Sequence, residues 1–128
     1  MVDRVAIVAA AQTKYESSKL NKHVSQLVLE VSDAVAGQVE VSLVNDVDAV
    51  VSCSQDHWDG RTISSMPIPD VTGAHLKDES KVAGDGALAV MYSAMKVMSG
   101  HHKLVLVVSH CCESMTDASI IENCSIDH

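Results

Sequence analysis

The chain has 128 residues, a formal charge of −8 and 47% hydrophobic residues, yet no Phe and only 2% aromatics. That length suits one compact unit with a buried core. The core has to be assembled from Val, Ala, Ile, Leu and Met, residues that suit parallel strands covered by helices. The acidic balance argues against nucleic acid or an anionic membrane as partner, because both reward positive charge.

In chain order, Arg4 to Ala11 is continuous, apolar and β-branched at its start, which predicts a buried strand. Gln12 to Asn21 is polar and reads as a loop. From His23 to Val39 the apolar positions Val24, Leu27, Val28, Val31, Ala34 and Val35 follow the spacing of an amphipathic helix. Asn21 is an available cap for it and Gly37 weakens its end. Val47 to Cys53 reads as a second strand. Ser54 to Lys77 holds Trp58, Gly60, Pro67, Pro69 and Gly73, too many breakers for one long element. After the glycine turn Val82-Ala83-Gly84-Asp85-Gly86-Ala87, Gly86 to Met98 predicts a helix ended by Ser99-Gly100. That helix is apolar nearly all round and so belongs in the middle of a protein. Lys103 to Cys112 predicts a strand of buried parallel type, and Glu113 to His128 is polar.

This order of strands and helices argues for an α/β fold with mainly parallel core strands and a buried central helix. Three strands and two helices make a thin sheet, so a partner chain or a second half is expected to cover its apolar faces. Cys53, Cys111, Cys112 and Cys124 show no CxxC spacing and read as reduced thiols of a cytoplasmic protein. The first apolar run is too short for a secretory leader, and no stretch approaches a membrane span.

His101, His102, His110, Cys111 and Cys112 invite a zinc reading. Strand alternation throws His110 and Cys112 to one side and Cys111 to the other, leaving no four-ligand set. Cysteines acting as small buried hydrophobes are the simpler account. Met91, Met95 and Met98 lie at helical spacing and read as core filling.

Two places carry candidate chemistry. Amide protons at a helix start near Gly84, Asp85 and Gly86 can steady an oxyanion or enolate. The competing reading is a tight turn whose glycines permit close helix–sheet packing. Asp85 can serve as a base or orient a partner, or simply cap the helix. The second place, Gln55 to Arg61, sets His57, Asp56, Asp59, Trp58 and Arg61 just after a strand's C-terminal end, where α/β crevices form. Arg61 suits a phosphate or carboxylate. A solvated loop with Trp58 buried for stability is the favoured reading there.

Several stretches together resemble the N-terminal part of thiolases, particularly the group close to the sterol-carrier-protein type. They are Val5-Ala-Ile-Val-Ala-Ala-Ala-Gln-Thr-Lys-Tyr15, Val47-Asp-Ala-Val-Val-Ser-Cys-Ser54, and Gly86 to Gly100 with Lys103-Leu-Val-Leu-Val-Val-Ser-His110. The resemblance spans residues 1–128 as a partial domain, the opening portion of a thiolase. In that family the nucleophilic cysteine stands at the start of the central helix, where the helix dipole and backbone amides lower the thiol pKa. Counting back from Ser99-Gly100 puts this position at Ala83, and the nearest cysteines, Cys53 and Cys111, belong to other predicted elements. A methyl group cannot form an acyl-enzyme, so covalent acyl transfer is not expected.

Gln55-Asp-His-Trp-Asp-Gly-Arg-Thr62 and Lys81-Val-Ala-Gly-Asp-Gly86 resemble the cysteine-less thiolase-like proteins. Those act as aldolases or retro-Claisen enzymes on CoA thioesters and pair with small zinc-ribbon, OB-fold subunits of the DUF35 type. The resemblance implies a split subunit of an acyl-CoA carbon–carbon lyase or acyltransferase, active only with other chains. Those chains would be a thiolase C-terminal chain, a DUF35-type subunit, or both, in a homo- or hetero-oligomer. It further implies coenzyme A as the thioester substrate, no metal in this chain, a catalytic bend at Gly84, Asp85 and Gly86, and CoA contacts from His57 and Arg61. The rival expectation is a non-catalytic scaffold that keeps the thiolase core for oligomerisation.

Overall fold

The computed structural model describes residues 4–16, 21–54 and 66–110. Its elements in order are α1 (Val24–Val39), β1 (Ala49–Cys53), α2 (Ile68–Thr72), β2 (Asp78–Val82), α3 (Gly86–Met98) and β3 (Val105–Ser109). The strands form one parallel sheet in the order β2-β1-β3, so the connection through α3 steps across β1. The fold is α/β.

Helix α1 lies where its apolar spacing puts it. Its N-cap is His23 rather than Asn21: the His23 ring accepts from the Ser25 amide at 3.3 Å, and the Gln26 side chain accepts from the His23 amide at 2.8 Å. This reciprocal box satisfies two otherwise unpaired donors. The helix runs through Gly37 and ends at Glu40, which takes a left-handed conformation (φ 54°) and donates its amide to Ala36.

The central strand β1 is fully buried along its length. Alternation sends Val50 to one face, where it packs with Val24 and Val28 of α1, Ile68 of α2, Leu106 and Val108. Val51 and Cys53 point to the other face and pack with Ala89 of α3. Asp48 fastens the start of the sheet by accepting the amides of Lys103 and Leu104 at 2.6 and 3.0 Å.

Three expectations are corrected: a strand over Arg4 to Ala11, a buried α3, and the core-filling role of Met91, Met95 and Met98. Arg4 to Ala11 forms no strand: the segment is exposed, with Ile7 at 77% and Val8 at 62%. Apolar β-branched residues make a strand possible, but a strand also needs a ladder partner, and this segment pairs with none of β1, β2 and β3. The third strand is instead Asp78–Val82, a charged stretch just ahead of the glycine turn. Edge strands tolerate such residues because their backbone pairs on one side only. Within the irregular region, Pro67 and Pro69 open the short helix α2, and Gly73 closes it in the left-handed conformation (φ 69°). Finally, α3 is not a buried central helix. Only Ala89 and Ser93 are buried, while Leu88, Val90, Met91, Tyr92, Met95 and Met98 are each more than a third exposed.

Candidate functional site

A parallel sheet collects the C-terminal ends of its strands along one edge, where the connecting turns leave room for chemistry. Here that edge is formed by Cys53 of β1, the Ala83–Asp85 bend after β2, and Ser109 of β3 followed by His110. The His110 amide donates to the Cys53 carbonyl at 3.0 Å, continuing the ladder one step past β3.

The bend keeps its place for local reasons. Asp85 is extended and caps α3, its carboxylate accepting the Leu88 amide at 2.9 Å. A negative charge also suits the positive end of a helix dipole. Gly86 opens the helix where a β-carbon would come within 3.3 Å of both Cβ and Oγ of Ser109. A side chain there would press on Ser109, which would have to give by a few tenths of an ångström, so the glycine eases the close approach of α3 to β3. The first amides of the helix, Gly86 and Ala87, have no acceptor within it by helical geometry.

Sulfur is present at this bend after all. Cys53 comes from a separate element, yet it is completely buried and its thiol donates to the Gly84 carbonyl at 3.0 Å. Burial pushes the thiol pKa up, and the Asp85 charge adds to that. A hydrogen bond with Ser109 pulls the other way. The group is therefore a protonated, sealed thiol rather than a poised nucleophile. Cysteine at the sheet-facing end of a predicted strand was visible in the sequence. Its proximity to Gly84 was not, because that depends on β1 and β2 being neighbours.

Among the candidate residues, Gly84, Asp85 and Gly86 stand together at the sheet's C-terminal edge. His57 and Arg61, with Trp58, Cys111, Cys112 and Cys124, lie outside the described residues. His101 and His102 are at the opposite end of the sheet from His110. His102 Nε2 there meets Asp78 Oδ2 at 2.9 Å, on the same oxygen that Lys96 Nζ reaches at 2.6 Å. Among the described residues no group of three or more His, Cys, Asp or Glu side chains is placed to hold a metal ion, and no helix is long and apolar enough to cross a membrane.

Comparison of the chain with protein-family models, curated proteins and solved structures found no match.

Proposed function

We infer that this chain is a thiolase-like subunit of an acyl-CoA carbon–carbon bond lyase or acyltransferase, contributing a binding surface rather than a nucleophile. The observation that carries the reading is the start of α3 at the C-terminal edge of a parallel sheet. Its first amides have no intrahelical acceptor, while the nearby side chains are already engaged: Asp85 caps, and Cys53 is buried on Gly84. A thioester carbonyl set against Gly86 and Ala87 would have its developing enolate oxygen held by those N–H groups. The base that takes or returns the proton beside the carbonyl would come from another chain. That chain would be a thiolase C-terminal part, a zinc-ribbon/OB subunit of the DUF35 type, or both. His57 and Arg61 are the residues proposed to meet the CoA portion.

Titration calorimetry with a non-cleavable acyl-CoA thioether tests this directly. The chain, alone or with its co-purifying partners, should bind, and Ala87→Pro should weaken binding several-fold with the helix intact. Proline is tolerated in a first helical turn but lacks the amide proton. Absence of binding under both conditions, or equal binding by Ala87→Pro, refutes the reading. Turnover by the purified chain alone would contradict its dependence on partners. A second reading, a non-catalytic interaction subunit, is favoured by the exposed apolar face of α3.

A further inference from the structure

Helix α3 buries Ala89 and Ser93 against the sheet and turns a continuous apolar stripe outward. Leu88, Met91, Met95 and Met98 are 47%, 64%, 58% and 41% exposed. Their spacing of three, four and three residues makes a straight seam along one side of a helix. Tyr92 flanks it at 37% exposure, and Ala87 is exposed beside it. The only charge within α3 is Lys96, and it is drawn aside onto Asp78 and over the Tyr92 ring. The stripe therefore carries no charge that docking would strip of water. Contiguous apolar faces of this kind on a small chain mark interaction sites.

We propose that this face is a homodimer interface in which α3 packs antiparallel against α3 of a second copy. The seam fits itself: about its midpoint, Leu88 of one copy lies against Met98 of the other, and Met91 against Met95. A two-fold interface uses one patch on both copies and needs this self-complementarity. Crossing at roughly 20° keeps such seams in register along their length. Methionine side chains adjust their shape to fill what the match leaves open.

Charge selects the antiparallel sense. The acidic Asp85 sits at the N-terminal end of α3, while Lys103 follows its C-terminal end, and both are exposed. Antiparallel pairing sets Asp85 of each copy beside the basic end of the other. It also opposes the two helix dipoles. Parallel pairing would bring like charges together at both ends. Pairing through α3 requires no acyl-CoA chemistry.

Sedimentation velocity of the full chain over a wide concentration range should show a monomer–dimer equilibrium. Met91→Glu/Met95→Glu should raise the dimer dissociation constant roughly 100-fold or more, because unpaired charges would be buried across the axis. These positions are exposed in the single chain, so the far-UV circular dichroism should not change. In a background with Cys111, Cys112 and Cys124 replaced by Ser, the double variant Leu88→Cys/Met98→Cys should give an oxidised covalent dimer, and Leu88→Cys alone should not. A chain that stays monomeric at every concentration overturns the proposal, since another segment or another protein then covers the face. A dimer indifferent to the two glutamates also overturns it. So does efficient self-bridging by Leu88→Cys alone, which would mean parallel pairing.

Discussion

Replacing Gly73 by Ala should be among the most damaging single-atom additions to this fold. Gly73 ends α2 with φ 69° and donates its amide to the Pro69 carbonyl. An added β-carbon would lie 2.8 Å from the Leu43 carbonyl oxygen, 2.9 Å from its carbon and 3.1 Å from the Val44 nitrogen. All three are backbone atoms, and the Leu43 carbonyl is further held by Lys77 Nζ at 2.7 Å. No side chain can rotate away to make room. The left-handed conformation costs a non-glycine residue about 1–2 kcal/mol, and the crowding adds about 1–3 kcal/mol. The expected loss is therefore about 2–5 kcal/mol, a large part of the ~5–15 kcal/mol that holds an ordinary domain together. Gly37 is the matched control: it lies inside α1 with nothing within 4 Å of an added β-carbon. Gly37→Ala should stabilise by about 0.5–1 kcal/mol through helix propensity. Urea unfolding of both variants gives opposite shifts of the midpoint if the reasoning holds. A Gly73→Ala protein within 0.5 kcal/mol of the parent, by the same linear extrapolation, would refute it.

Other consequences are open to test. Cys53 is sealed and its thiol pKa raised, so with Cys111, Cys112 and Cys124 replaced by Ser, it should react with a thiol reagent only as fast as the chain opens. Reaction at the rate of a free thiol would show an accessible sulfur at the bend. Asp85→Ala removes the cap of α3 and should cost about 1 kcal/mol; Asp85→Asn, which still accepts the Leu88 amide, should recover most of it. Asp78 is held below the ordinary carboxylate value chiefly by its hydrogen bond with Lys96, and Asp48 by the Lys103 and Leu104 amides. Both therefore contribute stability that is complete above the unfolded carboxylate pKa and lost as pH falls through the lower folded value. Glu79, exposed on the edge strand but raised by partial desolvation, acts in the opposite sense. Unfolding midpoints measured from pH 7 to pH 3 should fall in the acid limb, and the fall should be shallower in Asp78→Asn.

Much of this architecture is legible in the sequence. The helices Val24–Val39 and Gly86–Met98 and the strands around Ala49–Cys53 and Val105–Ser109 follow from spacing, because a helix or strand face is set by residues near one another in the chain. The place of Asp85 ahead of α3 was legible too, as a cap three residues before the Leu88 amide it accepts. The bend's closeness to β3 left a trace in Gly86, though glycine alone does not name Ser109 as the neighbour.

Local patterning by itself determined which segments can be helices or strands, where α3 starts and stops, and that the interior is aliphatic. Tertiary structure alone decided that the charged Asp78–Val82 rather than the apolar Arg4–Ala11 completes the sheet, since a ladder is built from backbone groups that every residue carries. It also decided that the Cys53 sulfur rests on Gly84 and that the methionine row of α3 faces outward. Both depend on which distant strands become neighbours and how many layers cover a helix, and no run of adjacent residues encodes those quantities.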